Sequence, residues 1–143
     1  MRRLFPVTVH IFLVQNGQVL LLRRQNTGYM DGLFSVVAGH IDGEESARQA
    51  AIREAREEVG IRLHPEDLQF AGVMHRQEGD ERVDFFFLVQ SWQGLPENCE
   101  PAKCSELRWA ALNKLPEATV PYVRQALHNY QLGVIFDEYG WDL

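Results

Sequence analysis

The sequence predicts an α/β domain in which helices pack on a mixed sheet, and three observations carry that prediction. Apolar runs of strand length recur along the chain, separated by turn residues. Two segments combine helical periodicity with start and stop signals. Their order is strands, helix, strands, helix, which sets helices against one sheet.

The first strand pair is "VTVHIFLV" and "QVLLLRR", separated by Asn16-Gly17, the strongest short-range signal for a hairpin turn. The opening "MRRLFPVTVHIFLVQNGQ" imitates a secretory signal, but Pro6 and His10 interrupt it and no small-residue cleavage site follows. "LFSVVAG" reads as a further short strand. "DLQFAGVMHRQ" and "RVDFFFLVQSW" form a second pair about the polar, glycine-bearing "EGDE", and Phe85 to Phe87 belong to the core. "ELRWAAL" completes the strands. "VPYVRQALHNYQLG" reads as a helix with Pro121 near its start and Gly133 just past its end.

At 143 residues, 45% of them hydrophobic, the chain has the size and apolar content of one domain spanning 1–143. A formal net charge of -6 speaks against a surface built to grip nucleic acid, and no run is long enough to span a membrane as a helix. Cys99 and Cys104 make neither a disulfide framework nor a zinc site, which suits a reducing cytoplasm.

The most informative stretch is "GHIDGEESARQAAIREAREEVGI", Gly39 to Ile61. Ser46 with Gln49 makes a capping box, and Gly60 is placed to end the helix in a left-handed conformation. At about 100 degrees per residue, Ala51, Ile52, Ala55 and Val59 share one side, while Glu54, Glu57 and Glu58 share another. Like charges at these spacings each cost roughly 0.2 to 0.5 kcal/mol per pair. Arg53 can pair with Glu57 or Glu45, but one cation cannot neutralise the set. A divalent metal can, and all-oxygen ligands suit Mg2+, or Mn2+, rather than zinc.

Gly39, Glu45, Arg53-Glu54, Ala55, Glu57-Glu58, Val59, Gly60 and Ile61 resemble the signature of the Nudix hydrolases, with every charged and glycine position filled. The resemblance extends to length and element order and implies an α/β/α sandwich. Two departures stand out. Ala55 replaces a bulkier aliphatic, and "FSVVAGH" lacks the Pro-Gly-Gly often found there; His40 lies beside the expected metal.

The resemblance implies metal-dependent hydrolysis of a nucleoside diphosphate linked to another moiety, first a nucleoside triphosphate and alternatively a nucleotide sugar such as ADP-ribose. Glu57 and Glu58 are the implied metal ligands with the Gly39 carbonyl. Glu54 is a further ligand or the general base, and Arg53 with Glu45 forms an orienting ion pair. A later loop acid is often added in the family; Glu100 is the first candidate and Glu106 the second.

Substrate contacts are expected from "RRQNTGYMDG", where strand alternation lets only one of Arg23 and Arg24 face a cleft. Tyr29, Met30 and Phe34 are pocket candidates, as are Arg76 and Trp109; Glu81 and Asp84 are polar neighbours of an apolar strand. The C-terminal "VIFDEYGWDL" could supply an arm to a dimer-built site, the protein being a monomer or a homodimer. The expectation from a different class is a nucleotide-sensing module that keeps the fold without turnover.

Overall fold

Strand β1 (Val7–Gln15) turns back into β2 (Gln18–Arg24) through Asn16 and Gly17, whose φ values of 52° and 72° are the left-handed pair that a tight hairpin requires. The structure, a computed structural model, describes residues 1–142. The segment "LFSVVAG" forms two strands rather than one. Its first part, β3 (Phe34–Ser35), pairs with β2, and its second, β4 (Val37–His40), crosses to pair with β1.

Helix α1 (Ala47–Val59) has both predicted ends. The Ser46 side chain accepts from the Gln49 amide, the Gln49 side chain answers from the other direction, and Gly60 closes the helix at φ 72°. A short 3-10 turn (Pro65–Asp67) precedes β5 (Gln69–Glu78), which reverses at Gly79 into β6 (Asp80–Val89). β7 (Cys104–Ala111), α2 (Pro121–Leu132) and β8 (Phe136–Tyr139) follow.

The strands run in the order β3-β2-β1-β6-β5-β8, with β4 added to β1 and β7 to β2. The sheet is mixed: β1–β6 and β5–β8 are parallel, and the other pairs antiparallel. Alternation along β1 then divides the core. Val9, Ile11 and Leu13 pack with Ala51, Ala55 and Val59 of α1, whereas Phe12 and Val14 pack with Val123, Ala126 and Leu127 of α2. The helices thus lie on opposite faces, giving the predicted α/β/α sandwich.

The C-terminal segment packs on its own chain and forms the outer strand of the sheet. β8 lies parallel to β5 of its own sheet, held further by Asn129 donating to Asp137 at 2.7 Å and by the Trp141 indole donating to the His75 carbonyl at 2.9 Å. Parallel pairing spends those backbone groups within the chain. Leu143 lies outside the described residues. No helix among the described residues is long and apolar enough to cross a membrane.

Candidate active site

Arg53 organises the acidic helix. Its Nε and Nη2 donate to the two Glu45 carboxylate oxygens at 3.1 and 2.8 Å. Nη1 reaches Glu54 at 2.7 Å and Glu57 at 3.3 Å, and Nη2 also donates to the His40 carbonyl at 3.0 Å. A planar guanidinium can serve this many acceptors at once, which a lysine could not. Arg53, with the Asp42 amide adding a hydrogen bond, holds the Glu45 carboxyl at about 2.

Glu54 and Glu58 have the opposite character. Burial raises Glu54 above the usual carboxylate range; Arg53 opposes this, and Glu57 and Glu100 add repulsion. Burial raises Glu58 further, offset only in part by the Ala38 amide, which donates to it at 3.1 Å, while Glu54 and Glu100 again repel. Gly39 is needed for this approach: a Cβ there would stand 2.1 Å from the Glu54 carboxyl carbon.

Glu100 arrives on a loop that caps α1. The amides of Glu97 and Cys99 donate to the Val59 and Glu58 carbonyls at 3.0 Å each, satisfying acceptors that a helix end leaves free. Glu106 lies elsewhere, paired with Arg23 at 3.4 Å and Arg108 at 3.3 Å.

Gly39, Glu54, Glu57, Glu58 and Glu100 line one cleft of about 870 Å3. Arg23 and Arg24 both line it, contrary to the alternation argument, because the cleft is bordered from both faces of the sheet, by Leu22 of the α1-side core and by Tyr122 of the α2-side core. Arg23 is committed to Glu106 and to the Gly32 carbonyl. Arg24 donates to the Tyr29 carbonyl at 2.7 Å and to Thr27, and has no carboxylate partner among the described residues. Lys103, which sequence reasoning missed, lines the same cleft, also without such a partner among the described residues.

Tyr29 reaches the cleft and donates its hydroxyl to Glu78 at 2.6 Å. Arg76 lines it too, but its guanidinium is 4% exposed and paired with Asp84 at 2.7 Å and Glu78 at 3.0 Å. Phe34 and Trp109 are not brought to the cleft. Phe34 is buried beneath the guanidinium groups of Arg23 and Arg108, and Trp109 stacks on Trp92 in the α1-side core. Met30 packs into the α2-side core, and Glu81 pairs with His75.

Sequence reasoning also missed the cleft floor of Thr8, His10 and Tyr122. α2 covers the Phe12 and Val14 end of its face, while Thr8 and His10, on the same face of β1, border the cleft. The available signal was a histidine and a threonine in step with Phe12 along an otherwise apolar strand.

Among the described residues no three His, Cys, Asp or Glu side chains stand in ready metal-binding geometry. Arg53 draws one oxygen of Glu54 and one of Glu57 to itself. The donor chemistry nevertheless fits a hard divalent cation: oxygen donors only, several carboxylates, and two of them desolvated and mutually repelling.

Desolvated carboxylates share one cleft with Arg24 and Lys103, cations without a carboxylate partner among the described residues, an arrangement suited to handling phosphate. The NUDIX domain model matches residues 4–130. The chain is 26% identical over 120 residues to an 8-oxo-dGTP diphosphatase of Escherichia coli strain K12, covering 82% of this chain and 92% of that one. It is 44% identical over 55 residues to the NAD-capped RNA hydrolase NudC of Stutzerimonas stutzeri, covering 38% of this chain and only 20% of that protein's length. A MutT NUDIX hydrolase structure from Burkholderia pseudomallei superposes with a TM-score of 0.81 at 27% identity, over 88% of this chain and 98% of the other. The chain belongs to the NUDIX domain family and is a Nudix hydrolase, an enzyme of pyrophosphate bonds.

Proposed function

We propose that the protein is a Mg2+-dependent pyrophosphohydrolase of a nucleoside diphosphate linked to another moiety. Its first substrate class is a normal or damaged nucleoside triphosphate, cut to the monophosphate and pyrophosphate. The observation that carries this is the placing of four carboxylates, Glu54, Glu57, Glu58 and Glu100, in one cleft with Arg24 and Lys103. Cations without carboxylate partners are suited to polyphosphate oxygens.

Glu57, Glu58, Glu100 and the Gly39 carbonyl would hold the ion, which Mn2+ could replace. When bound, such an ion neutralises phosphate oxygens and lowers the pKa of water. Glu54 is a further ligand or the general base, held in place by Arg53 at 2.7 Å. Arg53 and Glu45 fix its position. A cleft of about 870 Å3 is adequate for one nucleotide. ADP-ribose remains the second substrate class. We place the protein in the cytoplasm, consistent with its two free cysteines.

The test is product analysis by phosphorus NMR on nucleoside triphosphates including 8-oxo-dGTP, ADP-ribose and dinucleoside polyphosphates. Each is run with Mg2+ or chelator, on the parent and on Glu57→Gln. Metal-dependent release of pyrophosphate from triphosphates, lost in the variant, is expected. Nucleotide binding without product across the panel would refute catalysis and support the sensing module.

A further inference from the structure

One part of the cleft, built from β1, β5, β6 and α2 and not from the acidic helix, is a polar wall that the hydrolytic chemistry does not use. Thr8 donates its hydroxyl to the fully buried Asp84. Asp84 also receives Arg76, whose guanidinium lies 3.6 Å from the Tyr122 ring centroid and donates to Oε1 of Glu78. Tyr29 donates to the same Oε1.

The buried His10 fixes the direction of the last hydrogen bond. Its Nδ1 faces the Phe85 carbonyl at 3.3 Å, an acceptor only, so Nδ1 carries the proton. Its Nε2, 2.9 Å from the Tyr122 hydroxyl, then accepts, provided the ring is neutral, and burial keeps it so by lowering its pKa to about 4. Tyr122 therefore spends its hydrogen on His10 and keeps its oxygen as an acceptor.

The hydroxyl hydrogens of Thr8, Tyr29 and Tyr122 are thus all committed within the protein, and Arg76 is 3% exposed. Oε2 of Glu78 has no partner among the described residues, where both of the carboxylate's bonds fall on Oε1. Ser35 is the one hydroxyl bordering the cleft whose hydrogen has no partner among the described residues. Arg82 also borders the cleft, with Nε and Nη2 on Asp80 and Nη1 without a partner among the described residues, so the wall offers the acceptors of Glu78 and Tyr122 beside the donors of Arg82 and Ser35. The wall's arginines are spent on its own carboxylates, whereas Arg24 and Lys103 have no carboxylate partner among the described residues, so the latter pair suits a substrate's phosphates and leaves Glu78 to its base.

We propose that this end of the cleft recognises a nucleobase whose edge presents adjacent N–H donors, the guanine type, with Oε2 of Glu78 and the Tyr122 hydroxyl oxygen as acceptors. A guanine edge offers N1–H beside its N2 amino group. A thymine or uracil edge offers one N–H between two carbonyls, and so meets only one of the two acceptors. Sites that hydrogen-bond a substrate group discriminate strongly against analogues lacking it. The inference deepens the nucleotide reading above and rests on it.

The experiment compares dGMP with dTMP by titration calorimetry without turnover, alongside kcat/KM for dGTP and dTTP. The proteins are the parent, Glu78→Gln and Tyr122→Phe, each with its thermal midpoint measured. The parent is expected to favour dGMP by about tenfold or more, one charged hydrogen bond's worth. Glu78→Gln should lose most of that preference, weakening dGMP far more than dTMP, and Tyr122→Phe should lose part of it. Equal affinities in the parent, or an equal loss for both nucleotides in Glu78→Gln, would overturn the proposal. Uniform hydrolysis of all triphosphates with no base preference sinks this inference and leaves the proposed function standing. A Glu78-dependent dGMP preference without triphosphate hydrolysis does the reverse, and no binding of either nucleotide removes both.

Discussion

The Cys99 backbone amide donates to the Glu58 carbonyl at 3.0 Å, so the loop that carries Glu100 is anchored on the backbone of a residue whose side chain faces the same cleft. Helix termination and site assembly are therefore one event. Glu100→Gln is expected to lower Mg2+-dependent turnover about 10- to 100-fold, the range typical when a group supporting a metal site is removed. Glu106→Gln, outside the cleft, should stay within about threefold. Equal losses in the two variants would remove Glu100 from the site.

Gly39→Ala tests the close approach of β4 and α1. The added methyl would fall 2.1 Å from the Glu54 carboxyl carbon, so that side chain must leave its place beside Arg53. The obstruction is the end of a flexible side chain, and Gly39 does not have a left-handed φ. The variant is thus expected to keep its fold, with a thermal midpoint within a few degrees of the parent, while kcat falls about 10- to 100-fold. A folded variant with parental kcat would show that the position of Glu54 does not matter.

Ala55 is the departure from the family pattern that bears on packing. It is fully buried, as are Ala50 and Ala51, in a cluster containing Ile11, Leu13 and Phe87. Three small residues on α1 leave its packing face little side-chain bulk. Ala55→Leu is therefore expected to overpack the core and cost about 1 to 3 kcal/mol in urea denaturation. An unchanged urea midpoint would mean that the core has slack at this position.

Local signals made the acidic helix legible: the capping box at Ser46, the terminal Gly60 and the motif spacing all act within a few residues. The ion pair of Arg53 with Glu45 was legible for the same reason. Phe34 and Trp109 were less legible because an aromatic near a predicted site can face either way, and neighbouring strands decide which. Arg23 and Arg24 alternate along β2 yet both border the cleft, because it is lined from both faces of the sheet, which one strand's own sequence does not show. The Thr8, His10, Asp84, Arg76 and Tyr122 wall draws on four elements, so its residues meet only after the sheet order is fixed.

His10 gives the pH prediction. Burial lowers its folded pKa to about 4, against an ordinary value near 6.5 when unfolded. Between those values the unfolded chain binds the proton and the folded chain does not, so stability rises with pH across the window. The contribution is fully present above pH 6.5 and is lost as pH falls toward 4, by up to about 3 kcal/mol at 1.36 kcal/mol per unit. Urea unfolding of the parent between pH 7 and pH 4.5 should show this loss, in addition to that from other titrating groups. His10→Gln should be less stable at pH 7, where it forfeits a ring that pairs with Tyr122 and the Phe85 carbonyl, yet show a shallower slope between pH 6.5 and 4.5. A slope equal to the parent's would mean that His10 titrates normally in the folded protein, and burial would then not be what sets its charge.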